Sequence, residues 1–320
     1  MIPNYNGAAF LGKCLDSLAQ QSWRDREVIV VDNGSQDDSL WILEKHPLQP
    51  KIIRLENNLG FSRAVNSGME QASGELIALL NNDACAAPDW LEKLSAAAEK
   101  HPEMDFFACL ILQREHRDKI ESAGVGYSLQ ARPKPVLENE PLPGRLGGRE
   151  IFLASGAGVM LRENLIKRIG KLDPDYFAYL EDLDFFLRAR LSGARGMLVS
   201  EAVVYHLGAG TELRDDPGRK RMESGQRVYL IARNRWYLIW DNLPGSIIIL
   251  LWPLMLLGWL RGLGYHLFRS GQILHFLAGT SAGFFSLFRR RKKRRMVKRL
   301  RRIKPTELLS WMKTGIKELK

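Results

Sequence analysis

The sequence predicts an α/β chain: a mostly parallel, open sheet with flanking helices, followed by C-terminal helices that associate with a membrane. Three observations predict it. Short, uninterrupted apolar runs such as Glu27–Asp32 (Glu-Val-Ile-Val-Val-Asp) and Leu76–Leu80 lack polar alternation, which marks strands buried on both faces. Stretches with helical spacing separate them, as expected where parallel strands are joined by right-handed crossovers. From Leu243 onward the alternation gives way to long uncharged segments.

Taken in order, residues 8–21 read as a helix, with Phe10, Leu11, Leu15 and Leu18 on one face. Glu27–Asp32 is a strand, 37–44 a helix and Lys51–Leu55 a short strand. Asn58-Leu59-Gly60 opens a helix that runs to about Ala72, and Leu76–Leu80 is a third buried strand. A helix begins at Pro88, since proline suits a first turn, and a strand follows near Phe106–Leu112. Residues 113–150 are less regular, and the Pro and Gly between Pro133 and Gly148 suggest an excursion lying over a site. Ile151–Leu161 then reads as extended, with helices from Arg162 and over Asp182–Leu191 and a strand over Met197–Tyr205.

The net charge of +11 is local. Arg289 to Lys304 holds 12 Lys or Arg and no acid, so the remainder of the chain carries −1. A nucleic-acid enzyme spreads basic residues over its working face, so nucleic acid is not expected as a partner. Cys14, Cys85 and Cys109 are far apart and odd in number, which argues against a disulfide scaffold and for a reducing compartment. No basic region followed by an apolar run opens the chain, so no signal peptide is expected. Ile2 reads as the tail of a strand whose earlier residues are missing.

Ligands of open α/β sheets bind at the carboxyl ends of the strands. Polar residues follow four apolar runs: Asn4-Tyr5-Asn6-Gly7, Asp32-Asn33-Gly34-Ser35, Asn81-Asn82-Asp83 and His206-Leu207-Gly208. Each taken alone is weak, since Asp-Asn-Gly-Ser is also an ordinary turn sequence. Four on one sheet edge point to a binding site.

Pro3-Asn4-Tyr5-Asn6-Gly7, Val30-Val31-Asp32-Asn33-Gly34-Ser35, the run Asn57–Gly68, Leu79-Leu80-Asn81-Asn82-Asp83 and Glu181-Asp182-Leu183-Asp184 together resemble the successive motifs of family 2 glycosyltransferases. Order and spacing agree over roughly residues 1–240, and the nearest branch is the rhamnosyltransferase-like enzymes of bacterial surface polysaccharides. The resemblance implies a GT-A (Rossmann-like) catalytic domain over residues 1–240, an inverting reaction and a nucleotide-diphosphate sugar donor. It tilts the donor towards a deoxythymidine diphosphate and the sugar towards rhamnose. Carried over by position, Tyr5 lies against the nucleobase and Asp32 accepts a hydrogen bond from it. Arg63 and Asn66 help to hold the nucleotide. Pro3, Asn6, Asn33, Asn82 and Gly156 complete the donor side. Asp83 anchors a divalent metal, Mg²⁺ or Mn²⁺, at the diphosphate.

The family's metal motif is often Asp-x-Asp, whereas Asn81 supplies a neutral amide here. His206 is a candidate further ligand, and equally a loop cap. Inverting transfer needs a base for the acceptor hydroxyl. The resemblance puts Asp182 there, with Glu181 on the acceptor side, and a helix N-terminus favours the ionised carboxylate. The same acids would also serve as helix caps. Ser155-Gly156-Ala157-Gly158 matches a small-residue stretch near the donor sugar, though small residues also occur in tightly packed strands.

Leu243–Leu260 and Gly271–Phe288 are each 18 residues without Asp, Glu, Lys or Arg, at the lower limit for crossing a bilayer. The apolar segment 241–288 followed by a basic tail, 289–320, fits attachment to the cytoplasmic face of the cell membrane, where anionic inner-leaflet lipids attract Lys and Arg. Shortness, Pro253 and several glycines favour in-plane or re-entrant insertion over a hairpin of two spans. Arg233–Leu238, with Trp236 and Tyr237, reads as an amphipathic helix joining the domain to the membrane. A lipid-linked saccharide is the acceptor this arrangement suits. Three other readings stand beside it: a non-catalytic nucleotide-sugar or lipid-binding protein on a degenerate GT-A fold, a nucleotidyltransferase, and nucleic-acid binding through the tail. Asn81 favours the first, and the lack of a glycine-rich basic loop near the start argues against the second.

Overall fold

The computed structural model describes residues 1–142, 146–207 and 217–318, with side chains outside 217–224 and 316–318. Gly208 of the fourth strand exit and residues 143–145 of the expected excursion lie outside the described residues.

Apart from the short, unexpected β5, the first half alternates as the sequence predicts: β1 (Ile2–Asn4), α1 (Ala8–Ala19), β2 (Ile29–Asp32), α2 (Ser39–Lys45), β3 (Lys51–Arg54), α3 (Phe61–Gln71), β4 (Leu76–Leu80), β5 (Ala84–Ala86), α4 (Trp90–Lys100) and β6 (Phe106–Gln113). The middle holds β7 (Ile120–Ser122), β8 (Val125–Tyr127), β9 (Pro133–Pro135), β10 (Arg149–Ile151), β11 (Gly158–Arg162), α5 (Glu163–Ile169), a 3₁₀ turn (Pro174–Tyr176), α6 (Glu181–Leu191) and β12 (Gly196–His206). The C-terminal third is helical: α7 (Pro217–Asn242), α8 (Gly245–Phe268), α9 (Ile273–Ser286), α10 (Arg291–Leu300) and α11 (Pro305–Thr314), closed by β13 (Ile316–Glu318).

β1, β2 and β3 are parallel neighbours. The Met1 N-terminus donates to the Ala78 carbonyl (2.8 Å) and Leu80 N–H to the Met1 carbonyl (3.1 Å), so β4 continues the sheet in parallel beside β1. β11 inserts antiparallel between β4 and β6, and β12 runs parallel to β6. One reversed strand in an otherwise parallel centre brings the ends of β1, β2, β4 and β12 to one edge. The apolar runs alternate between two cores, as strand geometry requires. Phe106, Ala108, Leu110 and Leu112 face one core, while Phe107, Cys109 and Ile111 face the other.

Four expectations change. The extended run over Ile151–Leu161 is broken: Ala157 N–H turns onto Ser155 Oγ (3.2 Å), and β11 starts only at Gly158. The 113–150 excursion is partly core, since Ile120, Ala123, Tyr127 and Ala131 are buried. Arg233–Leu238 is turned into the fold along one side. Asn234, Tyr237 and Leu238 are buried against the catalytic part, and Trp236 packs edge-on against Phe284 of α9.

The expected basic tail is folded. Val297, Leu308 and Trp311 are buried in the same core as α6 and β6, and β13 pairs with β10. The basic run folds back because three of its cations find acidic or carbonyl partners: Arg290, Lys293 and Arg294 bond to Asp173, Asp241 and the Trp240 carbonyl.

α8 buries one stripe, Ile247, Leu251, Met255, Gly258 and Gly262, at spacings of three and four. Arg132 donates to the Gly258 carbonyl at the middle of that stripe. The rest of α8 is exposed, including Ile249, Leu250 and Trp252. α9 lies on α7, where a side chain at Gly279 would fall 2.2 Å from the Tyr229 carbonyl oxygen, and it leaves Leu274, Phe284 and Phe285 exposed. Among the described residues only α8 is long and apolar enough to cross a membrane, by length and composition.

Candidate active site

Three strand exits are cross-linked by their own side chains. Asn4 Nδ2 donates to Asp32 Oδ1 (3.1 Å) and Ser35 Oγ (3.2 Å), and Asn4 Oδ1 accepts from Asn82 Nδ2 (2.8 Å). Asp32, 1% exposed, also takes the Ser35 N–H on Oδ2 (3.1 Å). Pro3 is buried in β1 opposite Val31. Asn6 adopts φ 48°, with its N–H on Ser35 Oγ (2.9 Å) and its Oδ1 on Gln36 N–H (2.8 Å). Tyr5, between them, stands 40% exposed beside this lattice.

The Asn58–Gly60 turn is shaped by Asn33. Its Nδ2 donates to Asn58 Oδ1 (2.9 Å) and the Gly60 carbonyl (3.3 Å), and its Oδ1 accepts from Leu59 N–H (2.9 Å). Asn33, expected on the donor side, therefore spends its amide on the turn. Gly60 has φ 89°, and a Cβ there would lie 2.6 Å from the ring and carbonyl oxygen of Phe177, so only glycine fits. Arg63 is exposed in the first turn of α3. Asn66, expected at the nucleotide, also holds the backbone of Leu172: Nδ2 donates to the Leu172 carbonyl (2.8 Å) and Oδ1 accepts from Leu172 N–H (3.0 Å). An extended backbone segment beside a helical amide engages both of its groups in this way, and the half-buried amide keeps one N–H and one lone pair beyond these two bonds.

At the exits of β4 and β12, His206 stands between two carboxylates. Its ring bonds through Nε2 to Asp83 Oδ1 (3.1 Å) and through Nδ1 to Glu121 Oε1 (2.7 Å). Burial works against its charge, but Asp83 and Glu121 outweigh it and push its pKa up to about 10. Both nitrogens therefore donate at neutral pH. Among the described residues no three His, Cys, Asp or Glu side chains are arranged to hold a metal alone. A carboxylate oxygen and an imidazole nitrogen side by side, once the ring proton is displaced, still fit a divalent cation completed by phosphate oxygens. Asn81 Oδ1 is buried without a partner, one further oxygen at this strand exit.

The β4 exit is bonded to the Ser155–Ala157 turn beside Asp182. Asn81 N–H donates to the Ala157 carbonyl (3.2 Å), and the neighbouring Gly156 N–H donates to Asp182 Oδ2 (3.0 Å). Asp182 Oδ1 takes the Leu183 N–H (2.8 Å). Burial raises the Asp182 pKa above the ordinary carboxyl value, against the pull of those two amides. Glu181 is buried with Oε2 unpartnered, and burial followed by the neighbouring Asp182 charge pushes it well up. Asp184 differs from both. It is fully buried on Arg188 (2.8 Å), accepts from Asn242 Nδ2 (2.9 Å), and sits at about 2 because Arg188 and Lys293 outweigh the cost of burial. Of the three acids, Asp184 is structural and Asp182 faces the Gly156 turn.

The approach to Asp182 is strained. Phe177 adopts φ 64°, ψ −68° in a γ-turn closed by Ala178 N–H on the Tyr176 carbonyl (2.8 Å). Tyr179 and Leu180 follow at φ 69° each. Such conformations cost on the order of 1–3 kcal/mol per residue and persist where surroundings over-determine them. Asn4 and Ser35 were named at the strand exits without a role of their own, and Glu121, Asn234 and Arg290 take part in this architecture without having been expected at the site. Glu121 reaches His206 across 85 residues and Arg290 reaches Asp173 across 117, separations that no local pattern encodes.

The sequence matches the family described as glycosyl transferase family 2 over residues 1–170. It is 32% identical to an uncharacterized glycosyltransferase, EpsJ, of Bacillus subtilis, covering 74% of this chain and 68% of that one. A Haemophilus influenzae relative described as an uncharacterized glycosyltransferase is 28% identical, covering 59% of this chain, which spans 60% of that relative's length. Among solved structures, Staphylococcus aureus TarS 1–349 in complex with UDP superposes with a TM-score of 0.52 at 19% identity, over 89% of this chain and 90% of its own. The Pyrobaculum calidifontis mannosyltransferase in complex with GDP-Man and Mn²⁺ gives 0.54 at 15% identity, over 89% of this chain and 86% of its own. These neighbours share the GT-A fold that the motifs imply. With its family match covering more than half of its length, the chain belongs to glycosyl transferase family 2.

Proposed function

We propose that this protein transfers a sugar from a nucleotide-diphosphate donor to a hydroxyl of a growing bacterial surface polysaccharide, with inversion at the anomeric carbon. The observation that carries the reading is the Asp182 carboxylate, held by Gly156 N–H on a strained loop that packs against the Asn58–Gly60 turn. The acceptor oxygen attacks the anomeric carbon as the bond to the diphosphate oxygen breaks. The bonding pair leaves with the diphosphate, and the acceptor proton passes to Asp182. The lattice around Asn4 and Asp32 orients the nucleotide, with Tyr5 against its base. Asp83 and His206 hold Mg²⁺ or Mn²⁺, which when bound neutralises charge on the leaving diphosphate. Nucleotides and Mn²⁺ named with the structural neighbours support this donor side.

The same reading puts the protein on the cytoplasmic face of the cell membrane, acting on a lipid-linked saccharide. α9, at 14 residues, is about 21 Å long, short of the roughly 30 Å of a bilayer core. α8 carries Arg132 against its middle, a contact that suits in-plane insertion of its outer face better than crossing.

The test is release of nucleoside diphosphate by detergent-purified protein, given dTDP-rhamnose, UDP-N-acetylglucosamine or GDP-mannose with Mg²⁺ or Mn²⁺ and a lipid extract. Metal-dependent release from one donor, lost in Asp182→Ala and in Asp83→Ala, is expected. A folded protein that binds nucleotide and releases nothing with any donor would favour the non-catalytic binding reading.

A further inference from the structure

Between Leu172 and α6 the chain closes short turns on itself at Asp173–Ala178, and the C-terminal helices bond to those turns from outside. Asn234 of α7, 0% exposed, directs Nδ2 at three successive parts of the loop: the carbonyls of Tyr176 (3.0 Å), Ala178 (2.8 Å) and Tyr179 (2.7 Å). These are the residues that flank Phe177 and precede Leu180 in the left-handed stretch. Arg233 adds its Nη2 to the Asp175 (3.0 Å) and Tyr176 (2.9 Å) carbonyls. Arg290, just before α10, forks between Asp173 and Asp241 (2.5 Å each) and reaches Asp175 (2.8 Å), with its guanidinium 4.1 Å from the Tyr237 ring centre. A planar guanidinium meets several carboxylates at once in a way that an ammonium does not.

We propose that Asn234 and Arg290 are positioning residues, supplied by the C-terminal helices, that hold the Asp173–Leu180 loop in the one shape presenting Asp182 to the acceptor. The inference rests on the reading of Asp182 as the base. The loop is unfavourable on its own, because three non-glycine residues sit at φ 64–69° within four positions. Without the clamp it relaxes, and Asp182 moves off the Gly156 N–H. The donor lattice at Asn4, Asp32 and Asn82 shares no bond with the clamp, so nucleotide binding is expected to survive. The folded C-terminal helices thereby belong to the catalytic apparatus as well as to the membrane face.

The experiment compares full-length wild type, Asn234→Ala and Arg290→Lys for thermal melting, nucleotide affinity, KM for donor, kcat, and the pH profile of kcat/KM. Displacing a reacting group by about 1 Å costs on the order of 10²-fold. Asn234→Ala is therefore expected to lose about 10²-fold in kcat with donor KM and nucleotide affinity unchanged. Its acidic limb should move to lower pH as water reaches Asp182. Arg290→Lys should move the same quantities by less, and it carries the test if Asn234→Ala does not fold. Wild-type kcat in a folded Asn234→Ala, or an activity loss matched by an equal loss of nucleotide binding with an unmoved pH limb, would overturn the proposal. An inactive wild type with bound nucleotide would instead overturn the assignment of Asp182 as a base.

Discussion

The amide of Asn66 grips the backbone of Leu172 from both sides, donating to its carbonyl at 2.8 Å and accepting from its N–H at 3.0 Å. This ties the helix that follows the donor turn to the start of the loop carrying the catalytic acids. Asn66→Ala leaves two backbone groups unpaired, which costs about 1–3 kcal/mol each where water is excluded. Urea unfolding of the variant should show a loss in that range, with nucleotide affinity little changed. Loss of nucleotide binding at unaltered stability would return Asn66 to the nucleotide site.

Asp182 must be ionised to accept a proton, and burial raises its pKa above the ordinary carboxyl value. Activity should therefore fall as pH drops through a value above that of a free aspartate, and the limb belongs to kcat/KM, which reports the free enzyme. Asp182→Asn keeps the shape but removes the basic oxygen. General base catalysis is worth roughly 10²–10⁴-fold, and a loss of that size in kcat is expected. A variant retaining wild-type kcat would exclude Asp182 as the base.

Asp184 is ionised on Arg188 in the fully buried centre of the domain, at about 2. Its folded pKa lies below the unfolded value of about 3.9, so the stability it confers is complete above pH ~4. That stability is lost as pH falls towards 2. Removing one partner of such a pair costs about 3–5 kcal/mol because the other charge stays buried. Arg188→Met should show this loss in urea unfolding at neutral pH, and less of it at pH 3. A loss independent of pH would assign the effect to the Arg188 bonds with the Ile169 and Lys171 carbonyls instead.

The exposed faces of α8 and α9 should partition into lipid. Burying a Leu or Phe side chain is worth about 1.5–3 kcal/mol, so Leu250→Gln together with Phe285→Gln should release the protein from vesicles by more than tenfold. Anionic vesicles should retain wild type better than neutral ones, and less so at high salt. Equal retention of wild type and double variant would place the lipid contact elsewhere.

The alternation of strand and helix through β6 was legible because each buried strand is a short apolar run and each strand exit a polar cluster. Periodicity and turn chemistry are local, and local patterns survive in a linear sequence. The roles proposed for Asp32, Asp83 and Asp182 came with the family motifs, which keep their order and spacing along the chain. Those motifs say nothing of the bonds that the amides of Asn33 and Asn66 make to backbone groups at Gly60 and Leu172. The run Arg289–Lys304 read as a basic tail held at anionic lipid since nothing nearby in sequence opposes its charge, yet Arg290 finds Asp173, Asp175 and Asp241 across the fold. The sequence by itself determined the sheet, the strand exits and the family. Tertiary structure decided that the C-terminal helices close on the catalytic loop, because buried charges and left-handed backbone are tolerable only where distant partners meet them.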